Sequence, residues 1–201
     1  VQTHDSIGLS FSASLRSILR QDPDILLIGE IRDEETADIA VKFSLTGHLV
    51  FSTVHANDAA STITRLLDIG VKPFLVGSCL NLVMAQRLVR TICKNCKESY
   101  TPTKEELEMV GLDKSMLNSN EIFKGKGCSH CRNTGYHGRT GIFELIPMSR
   151  EIRGLVYENA NEDEIRQKAM DEGKANLRDS GIRKILAGDT SISEILRSTV
   201  T

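Results

Sequence analysis

Glu30 and His55 are the pair in this sequence best placed for hydrolytic chemistry, because each closes a β-rich run. The first run is Ile25-Leu26-Leu27-Ile28, followed by Gly29 and Glu30. The second is Leu49-Val50-Phe51-Ser52-Thr53-Val54, followed by His55. About 18 residues of helical pattern join them, the length expected of a strand–helix–strand unit with parallel strands. Ligands of parallel sheets collect at the carboxyl ends of the strands. Neighbouring strands lie roughly 5 Å apart, or about twice that with one strand between, so a carboxylate and an imidazole would converge on one edge. Four apolar residues and then an acid also describe a Walker B strand, buried on both faces, whose carboxylate faces magnesium and the attacking water. A solvated acid at a strand end gives the same local pattern. The companion phosphate loop, G-x-x-x-x-G-K-S/T, is absent: Gly125-Lys126 is followed by Gly127 and Gly173-Lys174 by Ala175.

Four cysteines form a second constellation. Cys93 with Cys96, and Cys128 with Cys131, are two C-x-x-C pairs separated by 31 residues. Each turn brings two sulfurs to one side of a tight loop. Four thiolates fill a tetrahedral zinc shell with no open position, so such a site is structural. Disulfides or redox pairs are the alternative, but disulfides require an oxidising compartment and no export signal is present. His130 is a possible substitute ligand, although four cysteines already complete the shell. Cys79 reads as a small core residue.

The elements that position these groups follow from caps and breakers. Apolar spacing predicts a helix over residues 9–21, opened by Ser10 or Ser12 and ended at Asp22-Pro23. Asp33 is a good N-cap for a helix to Leu45 that stops at Gly47, and Glu34 and Glu35 suit its dipole. Asn57 or Asp58 caps a helix to Ile69. Pro73 suits the first position of a long apolar helix reaching about Val89. Residues 93–138 are rich in Cys, Gly, Asn, Lys and Ser, with a capping box at Thr103 opening a short helix. A strand is expected over 139–146, then helices near 149–158, 161–172, 176–187 and 191–198.

The chain has 201 residues, 40% of them hydrophobic, enough for one sizeable domain or two small ones. A net charge of -2 and 4% aromatics give neither a nucleic-acid footprint nor a base-stacking surface. No apolar run approaches membrane-spanning length, and the amino terminus lacks a signal-peptide pattern. It also lacks a starting Met, which suggests a fragment.

The motifs together resemble a known family. LRSILRQDPD (15–24) leads into ILLIGEIRD (25–33), then ETA (35–37) and TGHLVFSTVHANDA (46–59). AQRLVR (85–90), the cysteine pairs and GYHGRTGIFEL (135–145) follow. This ordered set strongly resembles the ATPases of bacterial type II secretion and type IV pilus assembly (the GspE/PilB type), over nearly the whole chain. The resemblance implies an α/β fold: a partial RecA-like P-loop ATPase core over 1–90, a tetracysteine zinc subdomain over 91–146 and a C-terminal helical region over 147–201. It implies that Glu30 is the Walker B glutamate, binding Mg2+ and polarising water. His55 matches the histidine box, with Gly47 and His48 upstream. Gly29, Arg32 and His48 are carried as cofactor-binding positions, and Cys93, Cys96, Cys128 and Cys131 as the ligands of structural Zn2+.

The family further implies ATP as the nucleotide and cytoplasmic hexamers of identical subunits. It implies inner-membrane platform proteins as partners, peripheral membrane association only through them, and no nucleic acid. The family's phosphate loop, acidic "Asp box" and phosphate-reaching arginines belong upstream, so residues 1–201 alone are expected to be inactive. A non-catalytic zinc-stabilised interaction module is the rival reading, and a nucleic-acid-binding zinc ribbon a third, disfavoured by the acidic balance.

Among the remaining candidates, Arg32 and Arg65 could reach phosphate or a neighbouring subunit, or pair with Asp33, Glu34 and Asp68. Arg87 and Arg90 are expected to fix their helix against the zinc subdomain, and Arg139 to be structural. His4, His130 and His137 suggest only local hydrogen bonding, and the last helices packing or subunit contacts.

Overall fold

A computed structural model of the chain describes residues 10–113, 117 and 121–199. His4 and Leu9 lie outside the described residues. The expected strand–helix–strand unit is present. β1 (Ile25–Ile28) and β2 (Leu49–Ser52) flank α2 (Glu34–Leu45), and the strands pair directly in parallel with Ile28 opposite Ser52. α1 (Phe11–Leu19) begins at Ser10, whose hydroxyl accepts from the Ala13 amide. α2 begins at Asp33, whose carboxylate accepts from the Thr36 amide at 2.8 Å. These caps satisfy amides that have no partner inside their helix. α3 (Ala59–Asp68) carries a full capping box between Asp58 and Ser61, and α4 (Pro73–Cys79) starts on its proline.

Contacts group the chain into two compact units. The first holds residues 1–83 and 146–172, the second residues 84–145 and 173–201. In the first, α6 (Arg150–Tyr157) packs on α4, and α7 (Glu162–Asp171) packs on α3 and α6. Gly77 is the closest approach: a Cβ there would collide with the Tyr157 ring.

Two sequence expectations change, and one strand pair is added. The helix predicted from Pro73 to about Val89 ends at Cys79, and Leu82–Ile92 is the strand β3, paired with β6 (Tyr136–Pro147). Ala85, Gln86, Arg87 and Leu88 are good helix formers, but pairing with a 12-residue strand overrides propensity here. Side chains of β3 accordingly alternate, with Leu82, Met84 and Leu88 exposed and Val83 and Val89 buried. β1 is not buried on both faces: Leu26 and Ile28 face the core, while Ile25 is 61% and Leu27 75% exposed. The antiparallel pair β4 (Lys97–Tyr100) and β5 (Ile122–Gly125) was not legible in the Cys/Gly-rich segment.

The second unit is built on a cluster from six elements and one loop. Val89 and Ile142 come from β3 and β6, and Ile122 from β5. Leu107 and Val110 come from α5 (Lys104–Val110) and Leu112 from the loop after it. Leu177 and Ile185 come from α8 (Leu177–Leu186), and Ile192 and Ile195 from α9 (Ile192–Thr199). Among the described residues no helix is long and apolar enough to cross a membrane.

Candidate functional site

Glu30 and His55 meet at the carboxyl edge of β1 and β2, with His55 Nε2 2.9 Å from Glu30 Oε2. A carboxylate only accepts, so Nε2 carries the proton in this contact. Arg32, two residues beyond Glu30, turns back and pairs with the other oxygen, Oε1. This contact is the largest influence on the carboxyl group, which it holds below the usual carboxylate range; His55 adds to the effect and desolvation opposes it. Arg32 and His55 are 70% and 85% exposed, so both contacts are water-screened and easily exchanged for a ligand. Arg32 therefore pairs with Glu30 rather than with Asp33 or Glu34. The arrangement offers an ionised carboxylate, a ring N–H and a guanidinium on one open edge, which suits a cation, a polarised water and an anion respectively.

His48 lies at the opposite end of the sheet. It precedes β2 rather than following it, so the length of the strand, about 13 Å, separates its edge from that of Glu30. Its ring stacks on Phe43 with centroids 4.0 Å apart, and Nδ1 lies 2.9 Å from Thr46 Oγ1. Gly47, at φ +97°, makes the turn that places it there. Gly29 sits beside Glu30, and Arg65 is exposed on α3.

One residue the sequence reading passed over, Thr53, bonds the segment on either side of Glu30. Thr53 donates its hydroxyl to the Gly29 carbonyl at 2.6 Å and accepts the Ile31 amide at 2.9 Å. Asp58, read only as a cap, is also bound by Arg166 of α7 at 2.8 Å, in a pair whose side chains are 10% and 30% exposed. Desolvation works against the Asp58 carboxylate, but the Ser61 and Arg166 contacts prevail and lower its pKa. The spacing of Asp58 and Arg166, 108 residues, gives no sequence signal.

The four cysteines converge. Their Sγ atoms all lie within 4.8 Å of one another. Cys93 and Cys128 are 3.9 Å apart, Cys96 and Cys131 3.8 Å, and Cys128 and Cys131 3.7 Å. Zn–S bonds of about 2.3 Å at tetrahedral angles put sulfurs roughly 3.8 Å apart, so the set fits a closed metal shell, whereas disulfide sulfurs sit at about 2.05 Å. Backbone amides of Gly127, Cys128 and Gly135 point at Cys96 and Cys131 sulfurs, each at 3.3 Å. Desolvation raises the Cys131 thiol, but the Cys128 and Gly135 amides outweigh it and hold it at about 6. His130 takes no place in the shell; its ring lies 4.5 Å from that of His137.

Arg87 and Arg90 act on a strand, not a helix, and both reach the last helix of the second unit. Arg87 Nη1 donates to the Ser198 carbonyl at 3.0 Å. Arg90 grips Glu194 and lies 4.1 Å from the centre of the Tyr136 ring. Cys79 is half-buried at the end of α4, where desolvation raises its thiol.

The chain is similar to known proteins. The family described as "Type II/IV secretion system protein" matches residues 1–197. The type IV pilus assembly ATPase PilB of Myxococcus xanthus is 46% identical over 200 residues, covering 99% of this chain and 35% of that protein. Type II secretion system protein E of Pseudomonas aeruginosa is 45% identical over 198 residues, covering 98% and 39%. The chain thus spans between a third and two fifths of these two relatives. Among solved structures, the pilus retraction motor PilT with bound ADP aligns at a TM-score of 0.65 and 24% identity, over 96% of this chain and 44% of that one. The Legionella pneumophila ATPase DotB aligns at 0.61 and 20% identity, over 92% and 41%. These two likenesses establish a shared α/β fold.

Proposed function

The chain belongs to the type II/IV secretion system protein family, and we propose that it supplies the water- and magnesium-facing side of an ATP-hydrolysis site in a motor of that family. The observation that carries the proposal is the 2.9 Å contact between Glu30 and His55 at the carboxyl edge of two directly paired parallel strands. Glu30 is the group for the metal and the attacking water. His55 is the donor that stabilises charge on the terminal phosphate, and Arg32 a phosphate contact once it leaves Glu30. Gly29 keeps the backbone open beside them. His48, at the far edge, takes a nucleotide-contact role only where another face of the protein or another subunit brings ligand to it. Bound Mg2+ would neutralise phosphate charge; the chain's own residues orient water and hold the proton.

We assign residues 1–90 to the hydrolytic core, 91–146 to the zinc subdomain and 147–201 to a helical region. The exposed Ile25, Leu27, Leu49 and Phe51 form one apolar face of β1 and β2, which suits packing against further layers of a larger core. Cys93, Cys96, Cys128 and Cys131 hold structural Zn2+. The parent acts in protein secretion or pilus assembly as a cytoplasmic hexamer, held at the inner membrane by platform proteins.

The test is turnover by the gene product that carries these residues together with an upstream phosphate loop. It hydrolyses ATP, and Glu30→Gln lowers turnover by about a hundredfold or more. Residues 1–201 alone give no turnover above a buffer blank. Turnover by the short chain, or an unimpaired Glu30→Gln protein, would overturn the reading.

A further inference from the structure

We propose that Thr53 is the positioning residue of this site, the group that fixes the distance between Glu30 and His55; this rests on the hydrolytic reading above. Thr53 is the first residue past β2, two before His55. It makes two bonds to the segment that follows β1. Its hydroxyl donates to the Gly29 carbonyl at 2.6 Å, and its carbonyl accepts the Ile31 amide at 2.9 Å. The residues on either side of Glu30 are therefore both tied to one threonine. The ladder between the strands ends at Ile28 and Ser52, so these bonds carry the registry one step beyond the sheet.

The clamp holds a link that packing leaves unrestrained. Gly29 is exposed and has nothing within 4 Å of where a Cβ would sit. Glycine visits more backbone conformations than any other residue, and packing does not restrict this one. Without the hydroxyl, the Gly29 carbonyl loses its anchor and only the backbone bond to Ile31 still ties the Glu30 segment to Thr53, which leaves the carboxylate a wider swing. The Glu30–His55 contact cannot hold the geometry itself, since His55 is 85% exposed and its pairing is screened. Misplacement of a reacting group by about 1 Å can cost two orders of magnitude in rate. Thr53 touches no ligand in this scheme and acts through Glu30.

Thr53→Val removes the hydroxyl at nearly constant shape, and Thr53→Ser keeps it. Both changes are at an exposed position, so folding is expected to survive, with thermal melting as the check. In the full-length ATPase, Thr53→Val should lower kcat roughly three- to tenfold, with KM for MgATP little changed. Thr53→Ser should recover most of it, and adding Thr53→Val to Glu30→Gln should cost nothing further. In residues 1–201, amide exchange at Ile31 should quicken in Thr53→Val and not in Thr53→Ser.

Unchanged kcat in Thr53→Val, alongside a collapse in Glu30→Gln and His55→Ala, would overturn the inference while leaving the hydrolytic reading intact. Unimpaired Glu30→Gln would overturn that reading and this inference with it. Ile31 exchange still tests the clamp itself: identical rates in wild type and Thr53→Val would show that the hydroxyl holds nothing.

Discussion

Arg90 and Glu194, 104 residues apart, form an ion pair held by three hydrogen bonds in the second unit. The Arg90 backbone amide reaches Glu194 Oε1 at 2.9 Å, while Nε and Nη2 reach Oε2 at 3.0 and 2.7 Å. Arg197 adds contacts at 3.0 and 2.7 Å from the following turn of α9. Glu194 is wholly inaccessible, so the strand that leads into the first cysteine pair is bolted to the last helix by a carboxylate that cannot reach water.

Glu194→Gln should therefore destabilise the second unit by about 2 kcal/mol, less than a fully buried pair would lose because both arginines remain partly solvated. Burial raises this carboxyl group, but the Arg197 and Arg90 contacts prevail and bring it down to about 2 from 4.5. A depressed folded-state value stabilises above the unfolded value and is lost as pH falls through the folded one. Denaturant midpoints should fall between about pH 4.5 and 2 in wild type, with a shallower slope in Glu194→Gln. Parallel curves would rule out this linkage.

Metal analysis of the purified chain should return about one zinc per chain, and chelation should lower the melting temperature of the second unit by roughly 10 °C or more, since site formation and folding are coupled. Cys131→Ser should abolish binding. A metal-free chain with unchanged melting contradicts the assignment.

Gly125 and Gly135 cross with their backbones touching. A Cβ on Gly125 would overlap the Gly135 carbonyl, and one on Gly135 would sit 2.6 Å from the Gly125 carbonyl at a backbone φ of +78°. Gly135 also accepts the Cys93 amide and donates to Cys131. Gly135→Ala should cost about 3 kcal/mol from overlap and left-handed strain combined, and weaken zinc retention. Competition with a chromophoric chelator measures it; unaltered retention would show the crossing to be slack.

Asp58 serves two masters, capping α3 and pairing with Arg166. Asp58→Ala should cost about 2 kcal/mol and Arg166→Met about 1, with a coupling on the order of 1 kcal/mol in the double-mutant cycle. Zero coupling would show the two residues to be independent. Because the Asp58 carboxyl is lowered, its contribution is present above its ordinary value of 3.8 and fades as pH falls below it.

Arg32→Gln should let the Glu30 carboxyl titrate closer to its ordinary value of 4.5, because the largest influence lowering it is removed. Carboxyl-carbon NMR across pH 2–7 reads this directly; an unmoved titration would assign the depression to His55 instead.

The sequence by itself determined the local features of this protein. Asp33 and Thr103 cap their helices as expected, and Asp58 is the cap of the two candidates offered with Asn57, because each side chain bonds an amide three residues away and spacing alone reveals that. The C-x-x-C pairs and the acid after an apolar run are local in the same sense, and they held the family resemblance. Only the tertiary structure decided what depends on distant partners. Residues 82–92 became a strand because β6 was there to pair with, against their helical propensity. His48 and His55 went to opposite edges of one sheet because a strand has two ends. Thr53 bonds the Gly29 carbonyl because the end of the neighbouring strand brings it beside the hydroxyl. A cap spends its hydrogen bond within one turn of chain, whereas a clamp needs two elements folded together first.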